Sequence, residues 1–135
     1  MSPIYHGSCL CQSVKITVRG EPQRVYVCYC GDCRKNSGHL GQINAPYAVE
    51  DVTIDDPDNV VGEYVVKVTK SGKPKHKFFC LRCGCTIRTA CESLPGKSIV
   101  RVMILDDANG RFVPEEALFA EEKNRYTKGV KSEYF

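Results

Sequence analysis

Three cysteines fall within six residues in Cys28-Tyr29-Cys30-Gly31-Asp32-Cys33, a C-x-C-x-x-C pattern. No other stretch limits the chain's options so tightly. A run this short cannot cross-link its own cysteines without severe strain, because a disulfide requires suitably separated and oriented Cα atoms. A divalent metal meets no such obstacle. Three thiolates from one tight turn can take three corners of a tetrahedron and leave the fourth free, and a free corner distinguishes a catalytic zinc site from a closed structural one.

The chain has nine cysteines, an odd number that leaves at least one thiol over in any pure disulfide scheme. Close pairs, Cys9 with Cys11 and Cys80 with Cys83, flank the triple in sequence, and Cys85 and Cys91 trail behind. Such spacing suits metal ligation better than a secreted disulfide framework. Counting ligands in fours gives one closed structural zinc from Cys9, Cys11, Cys80 and Cys83. It leaves Cys28, Cys30 and Cys33 for a second, open zinc, so two Zn2+ per chain are expected. Four thiolates leave a formal charge of about −2 on a zinc site and three leave about −1, so the open site is the more electrophilic. The spacing alone admits other partitions. His39, Cys85 or Cys91 could complete the second site, the triple could be a metal-free thiol cluster, or Cys80, Cys83, Cys85 and Cys91 could form a site of their own.

At 135 residues the chain is expected to be one domain, 1–135. Its net charge of +3 is too small to argue for nucleic acid or an anionic membrane. No C-x2-C…H-x3-H finger is present, and the basic run Lys67, Lys70, Lys73, Lys75 and Lys77 reads as one solvated hairpin face. The start, Met1 to His6, lacks the basic and apolar regions of a signal peptide. The apolar runs fall far short of the ~20 residues that cross a bilayer. A reducing, cytoplasmic setting follows as the expectation.

Alternation of Val14, Ile16 and Val18 with polar residues predicts a strand over 13–19, entered from a tight turn at Gly7 to Cys11. A second strand over 24–29 delivers Cys28 and Cys30 to its end, and a polar loop is expected over 31–41. Residues 44–58 read as turn-rich, with Pro46 and Pro57. Strands are expected over 60–69 and 75–80 about a Ser71-Gly72-Lys73-Pro74 turn, then over 86–89 and 98–105. Cys80-Leu81-Arg82-Cys83-Gly84 has the form of a zinc knuckle, in which backbone N–H groups face the sulfurs. Pro114 to Lys123 is the one helix the pattern offers.

The motifs Gly7-Ser8-Cys9-Leu10-Cys11, Cys28-Tyr29-Cys30-Gly31-Asp32-Cys33-Arg34-Lys35-Asn36-Ser37-Gly38 and Phe79-Cys80-Leu81-Arg82-Cys83-Gly84 together resemble the CENP-V/GFA family, named for glutathione-dependent formaldehyde-activating enzyme. The likeness runs on through Val113 to Phe119. It implies a mainly β fold, a zinc-bound β-tent of small antiparallel sheets, to which the pattern adds one short C-terminal helix. It implies the ligand partition reached by counting, with Cys28, Cys30 and Cys33 as the catalytic centre. It also implies a carbon–sulfur lyase that joins a small-molecule thiol, glutathione, to an aldehyde, formaldehyde, giving S-hydroxymethylglutathione. Arg34 and Lys35 are candidate contacts for the carboxylates of the thiol donor. The chain departs from the family's pattern at Tyr29, Cys85 and Tyr126, where His, a small residue and Trp are common. Alternatives are a related zinc enzyme acting on another small electrophile, and a zinc-stabilised binding module without turnover.

Overall fold

The structure is a computed structural model that describes residues 2–108 and 110–123. Tyr126 and the polar C-terminal stretch lie outside the described residues.

Among the described residues, ten strands build two sheets. The smaller has the order β1-β2-β5, from β1 (Ile4–Ser8), β2 (Lys15–Arg19) and β5 (Val52–Asp55), all antiparallel. The larger contains β3 (Tyr26–Cys28), β4 (Gln42–Ala48), β6 (Val61–Val66), β7 (Lys75–Cys80), β8 (Thr86–Cys91), β9 (Lys97–Val100) and β10 (Glu116–Leu118). Its order is β10-β3-β4-β9-β8-β7-β6, and the β10–β3 pair is parallel while the others are antiparallel. The main core draws on both sheets: Ile16 and Val18 from the small one, with Val14 just before it, meet Ala45, Tyr47, Ile87 and Val100 from the large one, closed by Val102, Leu105 and Phe112. The alternation seen in sequence is the burial pattern of β2, whose Ile16 and Val18 are buried while Lys15 and Arg19 are exposed.

The mainly β expectation holds, with one α-helix among the described residues. That helix is α1 (Gly31–Ser37), not Pro114 to Lys123. Cys30 caps it, its Sγ accepting from the Cys33 N–H at 3.4 Å, and Gly38 ends it in the left-handed region at φ 67°. The expected C-terminal helix is instead β10 and a 3₁₀ turn (Ala120–Glu122). Here the open edge of β3 wins over local propensity: Tyr29 N–H donates to Leu118 O at 3.0 Å and Glu115 N–H to Val25 O at 3.1 Å. Phe119, at φ 54°, turns the chain out of the strand.

A second difference is β4, which runs through Pro46 in a stretch expected to be turns. Proline cannot donate to a ladder and is confined to strand positions without a partner on that side. β4 meets this condition because its first half, Gln42–Asn44, pairs with β3, while Ala45–Ala48 pairs with β9 on the other flank. The expected strand over 98–105 is likewise shorter, β9 giving way to a 3₁₀ turn at Val102–Ile104.

Candidate metal centre

Two turns bring the first set of sulfurs together. In one, Gln12 N–H donates to Cys9 O at 3.1 Å and Val14 N–H to Cys9 Sγ at 3.4 Å. In the other, Gly84 N–H donates to Cys80 O at 2.8 Å and Arg82 N–H to Cys80 Sγ at 3.4 Å, with Gly84 at φ 76°. The expected knuckle is therefore formed, with a backbone N–H on the Cys80 sulfur. The ligand atoms of Cys9, Cys11, Cys80 and Cys83 all lie within 4.8 Å of one another. Cys11 Sγ stands 3.7 Å from both Cys9 Sγ and Cys80 Sγ. A tetrahedron with Zn–S bonds of about 2.3 Å has edges of about 3.8 Å, so the spacing fits zinc. Burial pushes the Cys9 thiol up to about 11, whereas the Ser13 hydroxyl beside Cys11 brings that thiol down to about 6.

The second set is Cys28, Cys30 and Cys33, all buried, with Sγ atoms again within 4.8 Å of one another. Cys28 comes from the end of β3, Cys30 is the cap of α1, and Cys33 lies on its buried face. Among the described residues no fourth Cys, His, Asp or Glu joins this group. His39 is exposed beyond the end of α1, Cys85 packs against the main core, and Cys91 packs beside the triple without joining it. The triple shares a small apolar cluster with Tyr26 and Ile99, against which Leu118 and Phe119 pack.

Three sulfurs this close cannot all carry charge unaided. Hydrogen bonds from the Cys28 and Cys33 thiols hold Cys30 down to about 2, and that contact drives Cys28 and Cys33 upward. A divalent cation relieves this competition, which is the chemical reason the donor set fits a metal.

Residues 4–122 match the family model described as glutathione-dependent formaldehyde-activating enzyme. The chain belongs to this GFA family. The matched span runs from β1 to the turn after β10 and includes both cysteine sets. A crystal structure of a Rhodobacter sphaeroides protein, a structural-genomics target, is similar with a TM-score of 0.65 and 25% sequence identity, over 84% of this chain and 98% of that one. No curated protein matches the sequence.

Around the triple, this GFA chain places polar groups that the sequence reading did not single out. Gln42 lies opposite Cys28 in the β3–β4 register, and its amide N–H donates to Cys33 Sγ at 3.4 Å. Gln42 Oε1 accepts from Asn36 Nδ2 at 2.6 Å, and Asn36 Oδ1 from the Thr86 hydroxyl at 3.1 Å. Lys75 is half-buried and its Nζ lies 3.2 Å from Asp32 Oδ2, on the helix of the triple. Burial works against the Lys75 ammonium, but Asp32 and the sulfurs of Cys33 and Cys30 outweigh it and raise its pKa. The lysine run is thus not one solvated face. Lys75 turns to Asp32, and Lys70 pairs with Glu122 at 2.5 Å while lying 4.0 Å over the Phe119 ring. Arg34 and Lys35 are exposed on α1. Register was the only signal for Gln42, and it becomes readable once β4 is recognised as a strand.

No helix among the described residues is long and apolar enough to cross a membrane.

Proposed function

We propose that the chain is a single-domain zinc enzyme, over residues 1–135, that joins a small thiol to a small aldehyde, with glutathione and formaldehyde as the pair. One observation carries this reading: a buried triple of sulfurs with no fourth Cys, His, Asp or Glu beside it among the described residues, in a chain of the GFA family. Cys9, Cys11, Cys80 and Cys83 would hold a structural zinc, and Cys28, Cys30 and Cys33 a second one. Zinc held by these three would supply Lewis acidity, lowering the pKa of the substrate thiol.

The chain's own groups do the remainder. Cys28, Cys30 and Cys33 fix the site at the junction of β3 and α1, and the Gln42 amide orients the Cys33 sulfur. Leu118, Phe119 and Ile99 limit water. Lys75, and the exposed Arg34 and Lys35, supply positive charge for the carboxylates of the thiol donor. In the reaction the sulfur lone pair forms a carbon–sulfur bond to the carbonyl carbon. The carbonyl π pair moves to oxygen, and the proton lost by the thiol ends there as the hydroxymethyl O–H. Read backwards, the same step is a carbon–sulfur lyase reaction. A reducing cytoplasmic compartment, rich in free thiol, suits both the substrate and the cysteines.

The test combines metal stoichiometry with adduct formation from glutathione and formaldehyde on one preparation. Two zinc ions per chain and adduct formation above the spontaneous rate are expected, and Cys30→Ser should keep one zinc, the fold and no turnover. Full activity in Cys30→Ser would reject the assignment. Two zinc ions without turnover on any small aldehyde would favour a binding module.

A further inference from the structure

Arg101 is the most deeply buried cation among the described residues, with a relative exposure of 9%. Its Nη1 donates to Asn44 Oδ1 at 2.6 Å and its Nη2 to Thr89 Oγ1 at 3.0 Å, both neutral acceptors. Its Nε–H has no partner. No carboxylate among the described residues pairs with it. An isolated guanidinium in such a place is unfavourable unless another charge compensates.

The register shows where that charge sits. Tyr26 and Cys28 of β3 lie opposite Asn44 and Gln42 of β4, so all four share one face of the sheet. Thr89 lies opposite Ile99, which packs with the triple, and Lys77 and Lys75 lie opposite Thr89 and Cys91. The face therefore carries Arg101, Lys75 and Lys77 around Cys28, Cys30 and Cys33. Of the acids near it, Asp32 is already bonded to Lys75. Lys77 and Arg101 repel one another. Once a metal holds the triple as thiolates, the negative charge left on this face is theirs; burial lowers the Arg101 pKa, and Cys33, then Tyr26, Cys91 and Cys28 oppose it.

We infer that Arg101 is the internal counter-cation of the three-cysteine centre, a positioning residue that favours the anionic, metal-loaded form and the arrival of a fourth, anionic ligand. The inference rests on the proposed zinc at Cys28, Cys30 and Cys33. Three thiolates on a divalent ion leave about −1, and an incoming thiolate takes the site to about −2. A fixed cation inside the same low-dielectric face offsets that charge without ligating anything.

The test is zinc competition against a chromophoric chelator, with the two equivalents resolved, in wild type, Arg101→Gln, Arg101→Lys and Thr89→Val. Wild type must first bind two zinc ions; one alone would reject the underlying site and not the role of Arg101. Given two, Arg101→Gln should weaken the second equivalent by about 10- to 100-fold, as changes beside metal ligands do. The first equivalent should stay unchanged. Arg101→Lys keeps the charge and should stay within about threefold of wild type, as should Thr89→Val, which removes a hydrogen bond and keeps the charge. An unchanged second equivalent in Arg101→Gln overturns the inference, and so does a loss in Thr89→Val as large as that in Arg101→Gln. Should Arg101→Gln not fold, loss of the second zinc from a folded Arg101→Lys has the same force. In cobalt-substituted protein, the thiolate-to-metal band of the second site should shift in Arg101→Gln and not in Thr89→Val.

Discussion

The side-chain amide of Gln42 donates to the sulfur of Cys33 at 3.4 Å while its oxygen accepts from Asn36 at 2.6 Å. A candidate metal-binding sulfur is thereby tied to two residues outside both cysteine sets. Replacing Gln42 with Leu keeps the volume and removes the donor. We expect about 10- to 100-fold weaker zinc binding at the triple, with the four-cysteine site unaffected. Chelator competition on the second equivalent reads this directly.

The two cysteine sets should fail differently. Cys80 is fully buried, and its set joins the N-terminal turn to the β7–β8 turn. Structural zinc is worth about 10 kcal/mol or more, comparable to the whole stability of a typical domain. Cys80→Ser should abolish the cooperative thermal transition seen by circular dichroism, whereas Cys30→Ser should retain it. Equal melting of the two variants would contradict the division of roles.

His76 bridges two acids, Nδ1 to Glu63 and Nε2 to Glu92, each at 2.7 Å. Hydrogen bonding to Glu92 and then Glu63 raises its pKa above the ordinary 6.5. A raised folded-state value means that the contribution is complete below the unfolded pKa of about 6.5 and is lost as pH rises through the folded one. The melting-temperature gap between wild type and His76→Gln should therefore be wider at about pH 6 than at about pH 9. A gap that grows with pH would show the sign to be wrong.

Gly7 pairs with Leu105, and a Cβ there would lie 2.6 Å from Leu105 Cα, with Ile104 O nearer still. The obstacle is backbone, which cannot swing aside. Gly7→Ala should cost about 1–3 kcal/mol, measured as a lower urea midpoint with an unchanged slope.

The cysteine grouping and most strands were legible in the sequence because both depend on short-range pattern. Val14, Ile16 and Val18 announce a half-buried strand by alternation, and the cysteine groups announce themselves by spacing. What escaped depends on partners distant in the chain. The segment Glu116-Ala117-Leu118 has helical propensity but lies along the edge of β3, about ninety positions earlier. Pro46 argued against a strand until its two flanks proved to have different neighbours. Helix α1 has no apolar stripe to read, since Cys33 is its one buried residue. Arg101 gave no sign at all, because its significance lies in the face it shares and not in the residues beside it.

Cys11 and Cys80 stand 69 positions apart, whereas the triple fits within a single turn. From Cys33 to Cys83 is 50 positions, so during synthesis the compact trio has emerged in full while the opening pair still lacks its companions for roughly 2.5 to 10 s at ordinary ribosomal speed. On the proposed assignment, a nascent chain cut short before the knuckle could capture metal at the triple yet never close the four-cysteine site. Completion of the far pair would then act as a check on synthesis, since only a chain read through residue 83 can bring all four of those thiols to one ion.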